Sequence, residues 1–242
     1  MTTWLYRIAT ALVIVAVWQM AGGAIPTPRD VAASLATLWA ERGLFDQLLA
    51  SVALEARALV WSTVLALGAG YLTVLPAFRP AVTALTKLRF TGLVGWGFVL
   101  TLYAADGRQL EEWMLVFGIA PYFATSMVSA IADIPQQRFD HARTLGMPPW
   151  RVTWEVVVRG TLDTALETLR QCAAMGWMML TMVEGVVRSE GGIGVMMLDE
   201  NKHLQLDAVF ALILVVLAVG IAQDRALSWL RRALFPYARR SW

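Results

Sequence analysis

Long apolar runs alternate with short polar stretches along almost the whole chain. A bilayer core of about 30 Å requires about 20 mostly apolar residues in each crossing helix, so these runs predict membrane-spanning helices. Prolines end two of the runs, at Pro26 and Pro76, because proline disrupts the interior of a helix. The third run is short and contains three glycines, so five spans is the alternative to six. The six predicted spans are residues 4–24, 48–75, 90–105, 113–131, 166–187 and 206–221.

Two smaller features complete this pattern. A short amphipathic helix is expected at residues 31–39, between the first two spans. Glu55 and Arg57 fall near the start of the second span, from which long side chains can reach the membrane interface. The predicted fold is therefore an all-α polytopic membrane protein with about six transmembrane helices, and residues 1–242 form a single domain.

The composition supports this interpretation. Hydrophobic residues make up 58% of the 242 residues and charged residues only 16%, whereas soluble domains contain about 25% charged residues. A large soluble helical core is the alternative. The formal charge of +2 is too small to indicate nucleic-acid binding. The single cysteine, Cys172, excludes an internal disulfide, and its apolar surroundings predict a buried thiol.

The distribution of Lys and Arg predicts the orientation in the membrane. Cytoplasmic loops of membrane proteins are enriched in these residues. With both termini placed in the cytoplasm, most of the 20 Lys and Arg residues lie on the inner side. The first run has only Arg7 before it and no small-residue cleavage site after it, so we expect a retained span. The outer side holds five of the cationic residues, Arg29, Arg42, Arg108, Arg188 and Lys202.

A polar segment, residues 133–151, separates the fourth and fifth predicted spans. Asp133 is placed to cap a helix, and Gln136 three residues later completes a pattern similar to a capping box. Gly146 follows that helix, where a left-handed residue commonly ends a helix. Pro148 and Pro149 then begin a second short helix, which carries Trp150. The segment is therefore predicted to form a helix, a tight turn and a helix that presents itself to a soluble partner; an ordinary loop is the alternative.

The same segment carries a family resemblance. The sequence from Asp140 to Arg151, Asp-His-Ala-Arg-Thr-Leu-Gly-Met-Pro-Pro-Trp-Arg, resembles the Glu-Ala-Ala…Gly loop of ABC-importer permeases. The similarity continues downstream through Glu184 to the Ser-Glu-Gly-Gly-Ile-Gly stretch of residues 189–194, and upstream it includes Ile25-Pro-Thr-Pro28. It covers most of residues 25–235 and is closest to the nitrate, sulfonate and taurine branch.

The chain departs from the family pattern at two places. Asp140-His141 stands where the family has Glu-Ala, and Arg159 and Asp163 occupy positions where the family often has proline. Arg159 and Asp163 are four residues apart, so we expect them to pair on one helix surface. Without the prolines, a straighter helix is expected to lead into the fifth span.

The resemblance implies the permease subunit of an ATP-driven importer, with residues 1–25 as a first span and residues 48–235 as the core permease region. Such a subunit pairs with a second permease, the same or different, in the bacterial cytoplasmic membrane. It works with an extracytoplasmic substrate-binding protein and a dimer of ATP-binding cassette ATPases. ATP is then bound by the ATPase, and no cofactor by this chain. The resemblance implies that residues 136–150 couple to the ATPase through Gln136, Asp140, His141, Ala142, Arg143, Gly146 and Trp150.

The transport pathway is expected near the end of the fifth span. Glu184 lies there, and ionisable groups inside membranes usually face a cavity or a partner. Glu184 is either part of the pathway or a buried carboxyl that holds the loop at Gly191 and Gly192. The branch of the family implies a small anionic substrate such as nitrate, a sulfonate or taurine. The candidate pathway residues are Glu184, Trp177, Met178 and Arg170, with Arg57 as a further candidate cation.

Two alternatives remain open. The departures at Asp140-His141 and at the proline positions are also consistent with a specialised or degenerate half of a heteromeric permease. An intramembrane enzyme is the second alternative, but His141 and His203 fall on opposite sides of the predicted membrane. The sequence also contains no His-Glu-x-x-His pattern and no glycine-rich phosphate loop. We therefore predict no catalytic residues, no metal ligands and no ATP site in this chain.

Overall fold

The computed structural model describes residues 18–19, 25–188 and 190–235. The predicted first span, residues 4–24, lies outside these residues apart from two positions. All regular elements of the described part are helices, which confirms the predicted fold class. In chain order they are α1 (Pro28–Glu41), α2 (Leu44–Leu72), α3 (Arg79–Lys87), α4 (Leu93–Thr101), α5 (Gly107–Ala132), α6 (Gln136–Thr144), α7 (Pro149–Val152), α8 (Arg159–Val187), α9 (Ile193–Lys202) and α10 (Leu206–Leu234), with single 3₁₀ turns at Pro76–Phe78 and Leu88–Phe90 and a π-helical turn at Thr153–Val158.

Three of the described helices, α2, α5 and α10, are long and apolar enough to cross a membrane. The fifth predicted span falls within α8, which has the same 29-residue length as α2 and α10 but carries several charged residues in its first half. In place of the third predicted span the structure has α4, a helix of nine residues. At 1.5 Å per residue it is about 14 Å long, which is too short to cross a bilayer alone. The count of six spans is therefore not confirmed.

The amphipathic helix expected at residues 31–39 is confirmed as α1. Thr27 begins it with a complete capping box, in which the Asp30 N–H donates to the Thr27 hydroxyl and the Asp30 carboxylate accepts from the Thr27 N–H. Val31 and Leu38 are buried on one face of α1 against Ala208 and Leu212 of α10. The amphipathic pattern thus ties α1 to the last long helix.

The core lies where α2, α5 and α8 pack against one another. Phe123 and Met127 of α5 and Ala66 of α2 are fully buried there. Small residues allow this close packing: a Cβ added to Gly70 of α2 would lie 3.0 Å from the Met127 Cβ. Close approach through small residues is the usual way in which helices pack inside membranes.

The path from α7 into α8 differs from the prediction. The chain stays helical from Pro149 to Val187, but Thr153–Val158 forms a π-helical turn, so it is not one regular helix. The expected pair between Arg159 and Asp163 is wrong. Arg159 instead pairs with Glu155, four residues before it, at 3.0 Å. Asp163 faces α10 and pairs there with Arg231 at 2.6 Å.

Candidate functional site: the hairpin, the double-glycine turn and the groove

The segment predicted to contact a partner forms a helical hairpin, α6–turn–α7. Its predicted cap is wrong, because α5 continues to Ala132 and Asp133 closes that helix, with its N–H donating to the Ser129 carbonyl at 2.9 Å. α6 starts after Pro135, and no side chain caps it. Pro135 is in an extended conformation, φ −61° and ψ 136°, which turns the chain between the two helices.

The predicted turn at Gly146 is confirmed. Its φ is +72°, in the left-handed region that side chains with a Cβ rarely adopt. The Gly146 N–H donates to the Arg143 carbonyl at 2.9 Å, and the Met147 N–H donates to the Ala142 carbonyl at 3.3 Å. These two bonds are the pattern of a Schellman motif, which satisfies the last carbonyls of α6. The turn is therefore built by the backbone and depends on Gly146.

Most of the predicted contact residues are exposed to solvent, and two of them, Gln136 and Arg143, also line a cavity beside α3. Asp140, His141 and Arg143 are exposed, as are Gln136 and Trp150, and 72% of the Trp150 surface is accessible. Ala142 differs, because it is buried and packs against the rest of the chain. The hairpin is thus anchored by Ala142 of α6 and Val152 of α7, while its charged and aromatic side chains are exposed.

Glu184 holds the loop that follows α8. The carboxyl is 1% exposed, and its two oxygens accept hydrogen bonds from the Ser51 hydroxyl at 2.5 Å and from the Gly194 N–H at 2.7 Å. The Ser51 hydroxyl in turn accepts the Ile193 N–H at 3.0 Å. Both carboxyl oxygens are therefore engaged within the chain, which fits the loop-holding hypothesis for Glu184.

The double-glycine turn, Gly191 and Gly192, has no room for side chains. Both residues have positive φ, +81° and +110°. A Cβ on Gly192 would overlap the Glu184 carboxyl, and one on Gly191 would lie 2.6 Å from the Gln47 side-chain oxygen. The same Gln47 oxygen accepts the Gly192 N–H at 2.5 Å. The turn is thus fixed by side chains of both α2 and α8.

Sequence reasoning missed the contribution of α2 to this site. Gln47, Ser51 and Glu55 follow one another at intervals of four residues in a mostly apolar helix, and this polar stripe is the signal that could have identified them. The expectation that Glu55 reaches the membrane interface is wrong. Its side chain is 1% exposed and lies between Gly176 of α8 and Gln223 of α10.

Trp177 and Met178 lie together at a groove between α8 and α10. The groove has a volume of about 540 Å³. Trp177 is 5% exposed and donates a hydrogen bond from Nε1 to the Gln223 side-chain oxygen at 2.5 Å, whereas Met178 is 68% exposed. We call this feature the α8–α10 groove; its walls include Trp177, Met178, Thr181, Leu217, Gly220 and Asp224.

Each of the two candidate cations has a carboxylate partner. Arg170 lies 2.9 Å from the Glu167 carboxylate and 3.5 Å from Asp224 at the end of the groove. Arg57 lies 3.5 Å from Glu112 of α5. The structure thus brings Arg170, but not Arg57, near the groove. The Glu184 carboxyl is not in the groove lining, because it accepts hydrogen bonds from Ser51 and Gly194. In the described residues, no cluster of His, Cys, Asp and Glu has the arrangement of a metal site.

Residues 113–236 match the family described as the binding-protein-dependent transport system inner membrane component. This chain belongs to that family. The matched residues include the hairpin, α8 with Glu184 and the double-glycine turn. The chain is therefore a permease subunit of an ABC importer, a transport protein of the inner membrane.

Relatives of known type support the predicted branch. The chain is 25% identical over 139 residues to the taurine transport system permease protein of Escherichia coli (strain K12), covering 57% of this chain and 50% of that protein. It is 24% identical over 195 residues to the bicarbonate transport system permease protein of Synechococcus elongatus, covering 79% and 70%. A putative aliphatic sulfonates transport permease protein of Bacillus subtilis (strain 168) is 23% identical over 244 residues, covering 97% and 88%. The match thus spans only half the length of the taurine relative.

Two solved structures share the fold. One is the MetNI methionine ABC transporter in inward-facing conformations, with a TM-score of 0.63 and 17% identity over 82% of this chain and 97% of the matched chain. The other is an amino acid ABC transporter with histidines, with a TM-score of 0.59 and 13% identity over 83% and 96%. Together with the family match, they confirm the predicted resemblance to importer permeases.

Proposed function

We propose that the α6–turn–α7 hairpin couples this permease to an ATP-hydrolysing partner on the cytoplasmic side of the membrane. The single observation that supports this most is the Schellman turn at Gly146, which holds an exposed polar helix at a fixed angle to α7. A short helix held at both ends moves as a unit when a partner pushes on it. Since α7 continues through the π-helical turn into α8, that movement reaches the helix that carries Trp177 and Glu184.

This proposal places both chain termini and the hairpin in the cytoplasm, and α9 on the outer side. The orientation is supported by the excess of Lys and Arg on the hairpin side of the sequence pattern. ATP is bound by the partner ATPase, and this chain contributes the pathway without a cofactor of its own. The other partners are a second permease and an extracytoplasmic substrate-binding protein.

Labelling from the two sides of the membrane tests the orientation. Cys172 is the single cysteine of the sequence, so the substitution Cys172→Ala gives a chain without thiols. His141→Cys and Lys202→Cys each then introduce one thiol at an exposed position, on α6 and at the end of α9. A membrane-impermeant maleimide added to intact cells is expected to label the variant at 202 and not the variant at 141. The opposite pattern would overturn the proposed arrangement.

We propose a small anion as the transported substrate. The proposal is supported by the relatives, which are named for taurine, bicarbonate and aliphatic sulfonates. The α8–α10 groove is the candidate section of the pathway. Its wall is mostly apolar, and the nearby Arg170 is paired with Glu167 and Asp224. Among the described residues, the groove thus has no unpaired charge that would bind an anion tightly, so a substrate that enters it can also be released.

Competition for uptake tests the substrate class. Cells or vesicles that contain the complete transporter are offered labelled nitrate, taurine, bicarbonate and an alkyl sulfonate in turn. Uptake of one of these with inhibition by its close analogues is expected. Uptake of a cation or a neutral sugar, with none of these four transported, would contradict the proposal.

A heteromeric permease is the second candidate arrangement, and the Asp140-His141 departure in the hairpin favours it. If the two permeases of the complex differ, the complex can tolerate Asp140-His141 in the hairpin of this chain because the hairpin of the other permease keeps the Glu-Ala pair of the family. Affinity purification from membranes at natural expression levels distinguishes the two arrangements. A second, different permease in the complex supports the heteromer, whereas transport by a complex with two copies of this chain removes it.

A further inference from the structure

A cavity of about 530 Å³ lies between the hairpin and α3. We call it the α3 cavity. Its walls come from α3, from the ends of α2 and α5 nearest the hairpin, and from α6. Its polar lining includes Arg79, Thr83 and Thr86 on one side and Gln136 and Arg143 on the other.

The charge of this lining has one sign. Arg79 and Arg143 face the cavity from opposite walls, and none of the described residues that line it is Asp or Glu. The Arg79 Nε donates to the Thr73 carbonyl at 3.0 Å, which fixes the side chain while its terminal nitrogens have no partner among the described hydrogen bonds. Among the described residues, Arg143 contacts Asp140 through Nη1 at 3.4 Å, and its other donors have no hydrogen-bond partner within that part of the chain. Two guanidinium groups with spare donors are suited to a phosphate, which they bind through several charge-assisted hydrogen bonds.

The floor of the cavity is apolar. Val82 of α3 is buried, and Val128, Ile131 and Phe139 add further hydrocarbon surface. A cavity with cationic groups on the walls and an apolar floor fits a molecule that has both an anionic end and a hydrocarbon part. A free inorganic anion would leave the floor without a partner.

The helix beside the cavity also has the character of a membrane-surface helix. α3 has nine residues, with Arg79 at its start and Lys87 at its end. Two large apolar side chains flank it in exposed positions, Phe78 at 45% and Phe90 at 77%, and the Arg89 guanidinium lies 4.8 Å from the centre of the Phe90 ring. Basic residues beside exposed aromatic groups are typical of segments that lie among lipid headgroups.

We propose that the α3 cavity binds the phosphate headgroup of an anionic phospholipid, with Arg79 and Arg143 as its cationic ligands. The lipid then joins α3 to α6 and stabilises the position of the hairpin. Binding itself does not require the hairpin to contact an ATPase; only an effect of the lipid on transport rests on the proposed coupling function.

Lipid retention by the purified full-length chain tests the proposal. The chain is delipidated in detergent, phosphatidylglycerol or phosphatidylcholine is added, and the bound lipid is counted by native mass spectrometry. We expect phosphatidylglycerol to be retained in preference to phosphatidylcholine. Arg79→Gln is expected to weaken retention about fivefold, the effect of about one cationic residue near an anionic headgroup. The matched control is Arg138→Gln, which removes the same charge from an exposed position on α6 outside the cavity lining, and it should retain the lipid as the wild type does.

A second variant keeps the test decisive if Arg79→Gln does not fold. Thr83→Glu places a negative charge on the exposed face of α3 at the cavity wall, and it should also weaken retention of phosphatidylglycerol. Circular dichroism shows whether each variant keeps its helices. If folded Arg79→Gln and Thr83→Glu both retained as much phosphatidylglycerol as the wild type, the site would be overturned. Equal retention of phosphatidylglycerol and phosphatidylcholine by the wild type would also overturn it. Displacement of the lipid by millimolar inorganic phosphate would show that the cavity binds free phosphate, which also overturns the proposal.

Discussion

Arg231 of α10 binds both carboxylate oxygens of Asp163 on α8, through Nε at 2.6 Å and Nη2 at 2.9 Å. Its third nitrogen, Nη1, donates to Glu167 at 2.6 Å, one turn further along α8. Two parallel hydrogen bonds between a guanidinium and a carboxylate fix both distance and angle. The first turns of α8, which follow directly from the hairpin, are therefore attached to the end of α10.

Loss of this attachment should destabilise the chain. Arg231→Gln removes two charged hydrogen bonds to Asp163 and one to Glu167, and we expect the free energy of unfolding in detergent to fall by about 2 kcal/mol. Arg232→Gln is the matched control, because Arg232 is exposed and, among the described residues, its Nε donates to the Ser228 carbonyl within the same helix. A change within about 0.5 kcal/mol is expected there. The exchange Asp163→Arg with Arg231→Asp should recover part of the lost stability; equal losses in both single Arg variants would contradict the assignment.

Gly146 is the residue on which the hairpin turn depends. Gly146→Val forces a β-branched side chain to adopt φ +72°, which costs about 1–3 kcal/mol and favours a different turn. We expect ATP-driven uptake to be lost or the complex to disassemble. Gly146→Asn is the control, since Asn tolerates the left-handed region, and it should retain most uptake. Normal uptake by the Val variant would refute the coupling role of the turn.

Substitution of Glu184 tests whether this residue holds the loop after α8 or takes part in transport. Gln in its place cannot accept hydrogen bonds from both Ser51 and Gly194 without turning an amide N–H toward one of them. We expect the yield of assembled complex to fall with Glu184→Gln, while uptake per assembled complex stays near the wild-type value. Glu41→Gln, the same exchange at an exposed position at the end of α1, should change neither quantity. A normal yield with reduced uptake per complex would instead place Glu184 in the pathway.

The α8–α10 groove can be probed by protection from a thiol reagent. In a Cys172→Ala background, Met178→Cys places a thiol at an exposed position on the groove. If the groove is part of the pathway, substrate should slow the reaction of that thiol with a small maleimide. Trp61→Cys, on an exposed face of α2 outside the groove, should react at the same rate with and without substrate. Equal rates at position 178 would exclude the groove from the pathway.

Features of the fold that depend on a few consecutive residues could be predicted from the sequence. The turn at Gly146 and the start of α7 at Pro149 were predicted correctly because both follow from backbone preferences within a few residues. Asp133 was predicted to begin α6 but ends α5 instead, because a capping residue marks a helix boundary without showing on which side of it the helix lies.

Long-range contacts could not be predicted in the same way. Asp163 was expected to pair with Arg159, but it faces α10, and its true partner Arg231 lies 68 residues away in the sequence. Similarly, one of the two hypotheses for Glu184 linked it to the double-glycine loop, and the structure shows that contact. Gln47 and Ser51 were missed because they lie on α2, more than 130 residues earlier. Spacing along one helix shows which residues share a face, but not which helix that face meets.

The most direct test of the account is a crosslink from residue 141 to an ATPase. His141→Cys in the Cys172→Ala background is treated with a short thiol-reactive photo-crosslinker in membranes that contain the whole transporter, and the adducts are identified by mass spectrometry. Lys202→Cys, treated in the same way, is the control at the opposite end of the molecule. The account predicts an adduct between position 141 and the nucleotide-binding subunit and none from position 202. An adduct from position 202, or a folded and transporting variant at 141 that never reaches an ATPase, would contradict it.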